Sequence, residues 1–232
     1  SGQRSVPDAI DQDEHRVLPA LRRYREPWQV PDVEPWPGKP QSAVSPAGEA
    51  DKRIEFDWVG ARTRHAGTIV HRWLHRIGSG RIEVSTSALG ELDNVTRRWA
   101  VELGVESADI DGVCELTRDA LRGILTDEKG RWVLHGRGAC ERPVTGVIDG
   151  QVESVVMDRI RIDDDGSHWI IDYKTSTHAG GDLSGFLEQE EERYRAQLCR
   201  YSAIYAQLTG TTARAALYFP LLQAFREVDV TR

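Results

Sequence analysis

Asp158, Asp172 and Lys174 are the residues whose types and spacing point most directly to chemistry. The stretch from Val155 to Ser176 holds two apolar runs on either side of an acidic turn, Asp163-Asp164-Asp165-Gly166. This is the pattern of a β-hairpin with a Gly-containing loop. Asp158 falls in the first run, and Asp172 ends the second after Trp169, Ile170 and Ile171. Alternate residues of a strand share a face, so Asp172 and Lys174 are expected to project together. Two carboxylates and an ammonium at the end of a buried hairpin are costly unless they are partnered or hold a cation. One reading is an ordinary hairpin whose Asp and Lys reach water, since Asp-x-Lys alone is common. The other is a divalent-cation site. Carboxylate oxygens suit a hard ion such as Mg²⁺, with Lys174 near an attacking water or a reacting phosphate.

Bulk properties narrow the choices. The chain has 232 residues, 39% hydrophobic and 29% charged, enough for a soluble domain with a real core. No apolar run approaches the roughly 20 residues of a membrane span, so no membrane partner is expected. Cys114, Cys140 and Cys199 lie far apart, matching neither a disulfide framework nor a CxxC metal site, and a reducing cytoplasm is the natural expectation. The net charge of −7 argues against a protein that coats nucleic acid indiscriminately. A local basic groove is compatible with it. Arg62, Arg64, Arg72, Arg76, Arg81, Arg97 and Arg98 crowd one region, either as a solvated helix face or as a phosphate track.

The elements that must position these residues read as follows. Residues 8–24 carry Ile10, Val17, Leu18 and Leu21 at helical spacing. Residues 27–46 are proline-rich with Trp28 and Trp36 interleaved, so residues 1–54 are expected to form an extended tether or docking segment. The remainder, 55–232, is expected to be the folded domain. A helix is expected over Ile69–Ile77, capped by Thr68 and stopped at Gly78-Ser79-Gly80. His71 and His75 share one face of it. They do not make a zinc-protease motif, which needs Glu directly after the first His; here that residue is Arg72. Apolar stripes predict helices over 87–103 and 107–125, and short strands over 130–135 and 140–144. A long helix is expected over 183–208, its acidic start (Glu188, Glu190, Glu191, Glu192) facing solvent. It carries the stripe Tyr194, Gln197, Tyr201, Tyr205, in which a glutamine must satisfy its amide. Strands over 213–219 and 224–230 close the chain.

Taken together and in order, these motifs resemble the PD-(D/E)xK nuclease signature. Within that superfamily they are similar to the C-terminal nuclease domain of RecB/AddA-type (UvrD-like) helicase-nucleases. Gly67-Thr68-Ile69-Val70-His71 resembles the first motif, Asp158 with Asp172-Tyr173-Lys174 the central one, and Gln197-x-x-x-Tyr201 the last. Asp158 follows Met157 where the signature has Pro. The resemblance covers about residues 55–230. It implies an α/β fold with a restriction-endonuclease-like core, a central mixed β-sheet flanked by helices, and an added N-terminal helical region. It further implies Mg²⁺ (or Mn²⁺) held by His71, Asp158, Asp172 and the carbonyl of Tyr173, with Lys174 orienting the nucleophile. Gln197 and Tyr201 would fix the Asp-x-Lys strand, and Glu141 is a weak candidate for a further acid near the metal. Arg62, Arg64, Arg72, Thr175 and Tyr194 are candidate DNA contacts. With three cysteines, the four-cysteine iron–sulfur staple of some relatives cannot be built. The implied function is metal-dependent DNA hydrolysis, exonucleolytic and possibly endonucleolytic, at double-strand breaks in a bacterial cytoplasm. No Walker A motif occurs, so the implied partners are DNA single strands or ends, helicase motor domains upstream, and an AddB/RecC-like second subunit. The alternatives are a nuclease-fold module that binds DNA or a helicase partner without cutting, and a purely structural domain.

Overall fold

Intra-chain contacts divide the protein into Ser1–Val44 and Ser45–Arg232. The computed structural model describes residues 50–230 except 149 and 179, with side chains from residue 60 onward, all in the second unit. The helix expected over 8–24 and the Pro/Trp segment over 27–46 lie outside the described residues.

The second unit begins with four helices: α1 (Ala50–Gly78), then, after a 3₁₀ turn (Thr86–Leu92), α2 (Asp93–Glu102), α3 (Ile110–Thr126) and α4 (Glu128–Leu134). The strands β1 (Gly138–Ile148), β2 (Gln151–Ile162) and β3 (His168–Tyr173) follow, then α5 (Leu183–Thr209), β4 (Ala213–Phe219) and β5 (Ala224–Val228). The sheet runs in chain order, β1-β2-β3-β4-β5. Every neighbouring pair is antiparallel except β3 and β4, which are parallel. A parallel pair cannot be joined by a tight turn, and α5 is the crossover.

Helices cover both faces of the sheet, so β3 (HWIIDY) and β4 (ARAALYF) read as nearly unbroken apolar runs. Alternation sorts their side chains. Trp169, Ile171, Tyr173, Ala216 and Tyr218 join the core built with α1, α3 and α4. Ile170, Ala215, Leu217 and Phe219 face the α5 side. The acidic turn is structural: Asp163 accepts from the indoles of Trp132 and Trp169 at 3.1 and 3.2 Å.

The β2–β3 pairing covers only Arg159–Ile162 against His168–Ile171. Beyond Arg159, β2 continues with β1 alone as a two-stranded ribbon. The ribbon rests on α5, where Gln207 donates to the Val147 carbonyl at 2.8 Å and accepts from its N–H at 3.2 Å.

Several expectations need correction. The helix bearing His71 begins at Ala50, and Thr68 lies inside it. Its hydroxyl donates to the Arg64 carbonyl one turn back, a backbone bond available to threonine within helices. Residues 87–103 are split between the 3₁₀ turn and α2. Residues 130–135 form most of α4 rather than a strand, because Asp127 caps the helix by accepting from Gly130 N at 2.7 Å. The acidic start of α5 is not wholly solvated: Glu190 is buried, and Glu191 is paired with Arg195 and Arg226.

Candidate active site

The site forms where β2 and β3 part. At Tyr173 the ladder to β2 is replaced by a side chain: Asp158 Oδ2 accepts from Tyr173 N at 2.9 Å. That bond holds the Asp158 carboxylate at the mouth of the split, with Oδ1 3.5 Å from His71 Nδ1. Glu141 reaches the same nitrogen from β1 at 3.7 Å. Its backbone has φ 49, a left-handed conformation uncommon for a non-glycine residue and a frequent mark of functional sites. On the other side of the ring, His71 Nε2 lies 3.1 Å from the carbonyl oxygen of Tyr173.

Behind these groups Arg159 is 1% exposed. Its guanidinium donates to the carbonyls of Val133, His135 and Gly136, at 2.9, 3.3 and 3.0 Å, where α4 ends. It also reaches Ala139 O and Cys140 Sγ, each at 3.5 Å. The cation thus sits on the negative end of α4 and ties the start of β1 to the residue following Asp158.

Asp172 is 4% exposed. Oδ1 accepts from Gln197 Nε2 at 3.0 Å, and the same nitrogen reaches the Tyr201 hydroxyl at 2.8 Å. Oδ2 lies 2.7 Å from Lys174 Nζ. That contact is an ion pair out of line for a directed hydrogen bond, so buried Oδ2 keeps unused acceptor capacity. Lys174 Nζ lies 3.7 Å from the centre of the Tyr194 ring. Burial first, and then the Asp158 charge, push the Asp172 carboxyl up to about 6 against the pull of Lys174 and His71. Burial opposes a proton on His71, but Asp158 and Glu141 outweigh it and raise the ring to about 10. A protonated ring donates from both nitrogens, as the Tyr173 carbonyl on one side and the carboxylates on the other allow.

The donor set fits a hard divalent ion. His71, Glu141 and Asp158 offer ligand atoms within 4.8 Å of one another. The Tyr173 carbonyl meets the ring's other nitrogen, Nε2, at 3.1 Å, so as the ring stands it and the two carboxylates approach His71 from opposite sides. Asp172 Oδ2, paired with Lys174 at 2.7 Å, adds a further oxygen nearby. Any such ion would need His71 neutral.

Residues 55–229 match the PD-(D/E)XK nuclease superfamily. The chain belongs to that superfamily. None of the curated proteins compared with this nuclease-fold domain matches it. Among solved structures it is similar to a presumed exonuclease from Eubacterium rectale, with 19% identity, a TM-score of 0.39, and coverage of 65% of this chain and 60% of that one. It is also similar to protein VC1899 from Vibrio cholerae, with 14% identity, a TM-score of 0.23, and coverage of 68% and 47%. The chain therefore spans about three fifths of the first and about half of the second.

The nuclease domain brings His71, Asp158, Asp172, Tyr173, Lys174, Gln197, Tyr201 and Tyr194 to one place. A cleft of about 590 Å³ opens beside them, lined by Arg64, Thr68, His71, Arg72, His75, Glu141 and Thr175, with Gly67 at its floor. A methyl group on Gly67 would lie 2.7 Å from Thr175 Oγ1, so this glycine is what lets α1 approach the chain leaving β3. The candidate DNA contacts differ in freedom. Arg62 is paired with Asp109. Arg72 reaches Glu102 at 3.8 Å and lies over Trp99. Among the described residues the exposed Arg64 guanidinium has no partner. A larger hollow of about 1000 Å³ lies at the other end of β3, around His168 and Arg214, and shares none of the site residues. The sequence pattern singled out neither Arg159 nor the Ser176–Glu190 bond at 3.2 Å. Adjacency to Asp158 and to Lys174 was the available signal.

Proposed function

We propose that this domain hydrolyses DNA phosphodiester bonds, using Mg²⁺ or Mn²⁺ held by His71, Asp158, Asp172 and the Tyr173 carbonyl, with Glu141 beside them. The observation that carries the proposal is the convergence of His71, Asp158 and Glu141 on one point next to the buried Asp172 and its half-buried partner Lys174. When bound, the cation supplies an acidified water and neutralises charge on the phosphate. The protein residues do the rest. Lys174, half-buried between Asp172 and the Tyr194 ring, is placed to orient the nucleophile and to stabilise charge developing on the reacting phosphate. Gln197 and Tyr201 hold Asp172 in place and are positioning residues. Arg64, Arg72 and Thr175 line the cleft where the flanking backbone would lie. Tyr194 backs the lysine, and Arg62 would contribute only after giving up Asp109.

The motif order further supports an exonuclease working as the nuclease part of a bacterial helicase-nuclease in double-strand break processing. DNA single strands or ends would be its substrate, motor domains would lie upstream in a longer chain, and an AddB/RecC-like subunit would be the partner. The test is cleavage of end-labelled single- and double-stranded DNA with Mg²⁺, with Mn²⁺ and with EDTA, beside Asp172→Ala and Lys174→Ala. Metal-dependent cutting lost in both variants is expected. Lys174→Ala should bind Mn²⁺ as the unaltered protein does, and full cleavage by that variant would refute the role given to the lysine. Binding of DNA without cutting under any metal would favour a silent nuclease-fold module.

A further inference from the structure

The chain leaving β3 is held from two sides by an alternating set of contacts. Odd-numbered residues meet α1: the Tyr173 ring lies edge-on to His71, and Thr175 abuts Gly67. Even-numbered residues meet α5. Asp172 bonds Gln197 at 3.0 Å, Lys174 stacks on Tyr194 at 3.7 Å, and Ser176 Oγ donates to Glu190 Oε2 at 3.2 Å. On α5 the partners are spaced by four and three residues, one turn apart each time, so they form a single stripe. An extended chain advances about 13 Å over four residues and a helix about 10.5 Å over seven. Two such repeats stay in step for about three rungs. Glu190 supplies the third rung and is 7% exposed, although no sequence pattern distinguishes it from Glu188, Glu191 and Glu192.

A buried carboxylate needs a reason and partners. Glu190 has two: the Ser176 hydroxyl and Arg193, whose Nη1 lies 3.3 Å from Oε1. Arg193 is 68% exposed at its side chain, so the contact that fixes the backbone is Ser176. That serine stands two residues beyond Lys174, just as Asp172 stands two residues before it. We infer that Glu190 is a positioning residue for Lys174, acting through Ser176 to pin the far side of the lysine while the Asp172–Gln197 rung pins the near side. The inference rests on the hydrolytic role proposed for Lys174. It assigns the length of the functional stripe on α5 as Glu190 to Tyr201, two turns longer than the Gln-x-x-x-Tyr motif.

The experiment compares Ser176→Ala, Glu190→Ala and Glu190→Gln in the full chain. Glutamine keeps an acceptor for Ser176 and removes the charge, so it separates the rung from electrostatics. Three quantities are read: kcat at saturating DNA and Mn²⁺, the Mn²⁺ dissociation constant, and the ¹³C resonance of Lys174 after reductive ¹³C-methylation. Lys39, Lys52 and Lys129 are the other labelled residues, and Tyr194→Leu identifies the ring-shifted Lys174 signal. A misplacement of about 1 Å costs up to about 100-fold. Ser176→Ala and Glu190→Ala are expected to lower kcat about 10-fold and to move the Lys174 resonance, with Mn²⁺ affinity within about two-fold. Glu190→Gln should restore most of both. An unmoved Lys174 resonance and unchanged kcat in Glu190→Ala overturn the inference, as does Glu190→Gln failing as badly as Glu190→Ala. A variant that only melts at lower temperature marks a merely structural role and overturns it too. If Lys174→Ala itself cuts normally, the hydrolytic reading fails, and the resonance still decides whether Glu190 fixes the lysine.

Discussion

Asp172→Asn should make the metal-free protein more stable while abolishing cleavage. Asp172 is almost fully buried, and its carboxyl is raised from 3.8 to about 6, chiefly by burial and then by the Asp158 charge. At about 1.4 kcal/mol per pH unit, keeping it ionised costs the fold on the order of 3 kcal/mol. Because the folded carboxyl holds its proton more tightly than the unfolded one, stability is greatest below about pH 4. It falls as pH rises towards 6 and levels off above that. Asparagine is isosteric and neutral, and its oxygen can still accept from Gln197. Its amide faces Lys174, which loses an anion 2.7 Å away. That attraction is already contained in the raised carboxyl; the amide N–H groups facing the ammonium discount the gain to roughly 1–2 kcal/mol. The gain corresponds to a rise of roughly 3–6 °C in Tm for a domain of this size. The assay is thermal or urea unfolding in EDTA at pH 8 and at pH 4.5, for both proteins. The variant should be the more stable at pH 8, and the difference should shrink at pH 4.5, where the native carboxyl is already protonated. Mn²⁺ at about 100 times its dissociation constant should stabilise the unaltered protein by about 2.7 kcal/mol and the variant much less. An Asn variant less stable than the parent at pH 8 in EDTA would refute the reasoning, because the Asp172–Lys174 pair would then outweigh the burial of its charge.

Two further predictions concern groups outside the acidic cluster. Gly67→Ala places a methyl 2.7 Å from Thr175 Oγ1. It should lower kcat by about 10-fold or more with little change in melting temperature, since alanine favours the helix by about 1 kcal/mol; Gly67→Ala/Thr175→Ala should recover part of the rate. Arg159→Met should cost about 3 kcal/mol or more in urea unfolding, because three carbonyls at the end of α4 lose their donor. A change below about 1 kcal/mol would mean that water or a repacked loop replaces the guanidinium.

The parts of the fold legible in the sequence were those where local pattern and tertiary demand agree. The β2–β3 hairpin, α5, β4 and β5 each carry an apolar run with clear turn residues, and the structure places them within a few residues of expectation. Misreadings occurred where a short-range signal admitted two meanings. Arg131-Trp132-Val133-Leu134 has the composition of a strand, and Asp127 three residues before Gly130 decides for a helix. Thr68 after Gly67 resembles a cap, although the helix has already run for many residues. Within the site, Asp158, Asp172 and Lys174 stand out by type. Glu141 does not stand out by type and is picked out only by the family resemblance; its left-handed backbone, φ 49, is a conformation that glutamate gives no hint of. The pairing of Arg62 with Asp109, across 47 residues, and the burial of Glu190 are tertiary facts with no local trace.

The divergence of β2 from β3 has a consequence for how the chain matures. His71 meets the Tyr173 carbonyl across 102 residues, and the other ligand candidates come from β1, β2 and β3. No short fragment therefore carries the whole candidate cation pocket, and contacts of such sequence separation form late. Cation affinity is then a reporter of completed folding. A chain still emerging from the ribosome exposes His71 before the acids, and one cut within α1 can part the two, so in neither is the candidate ion pocket complete.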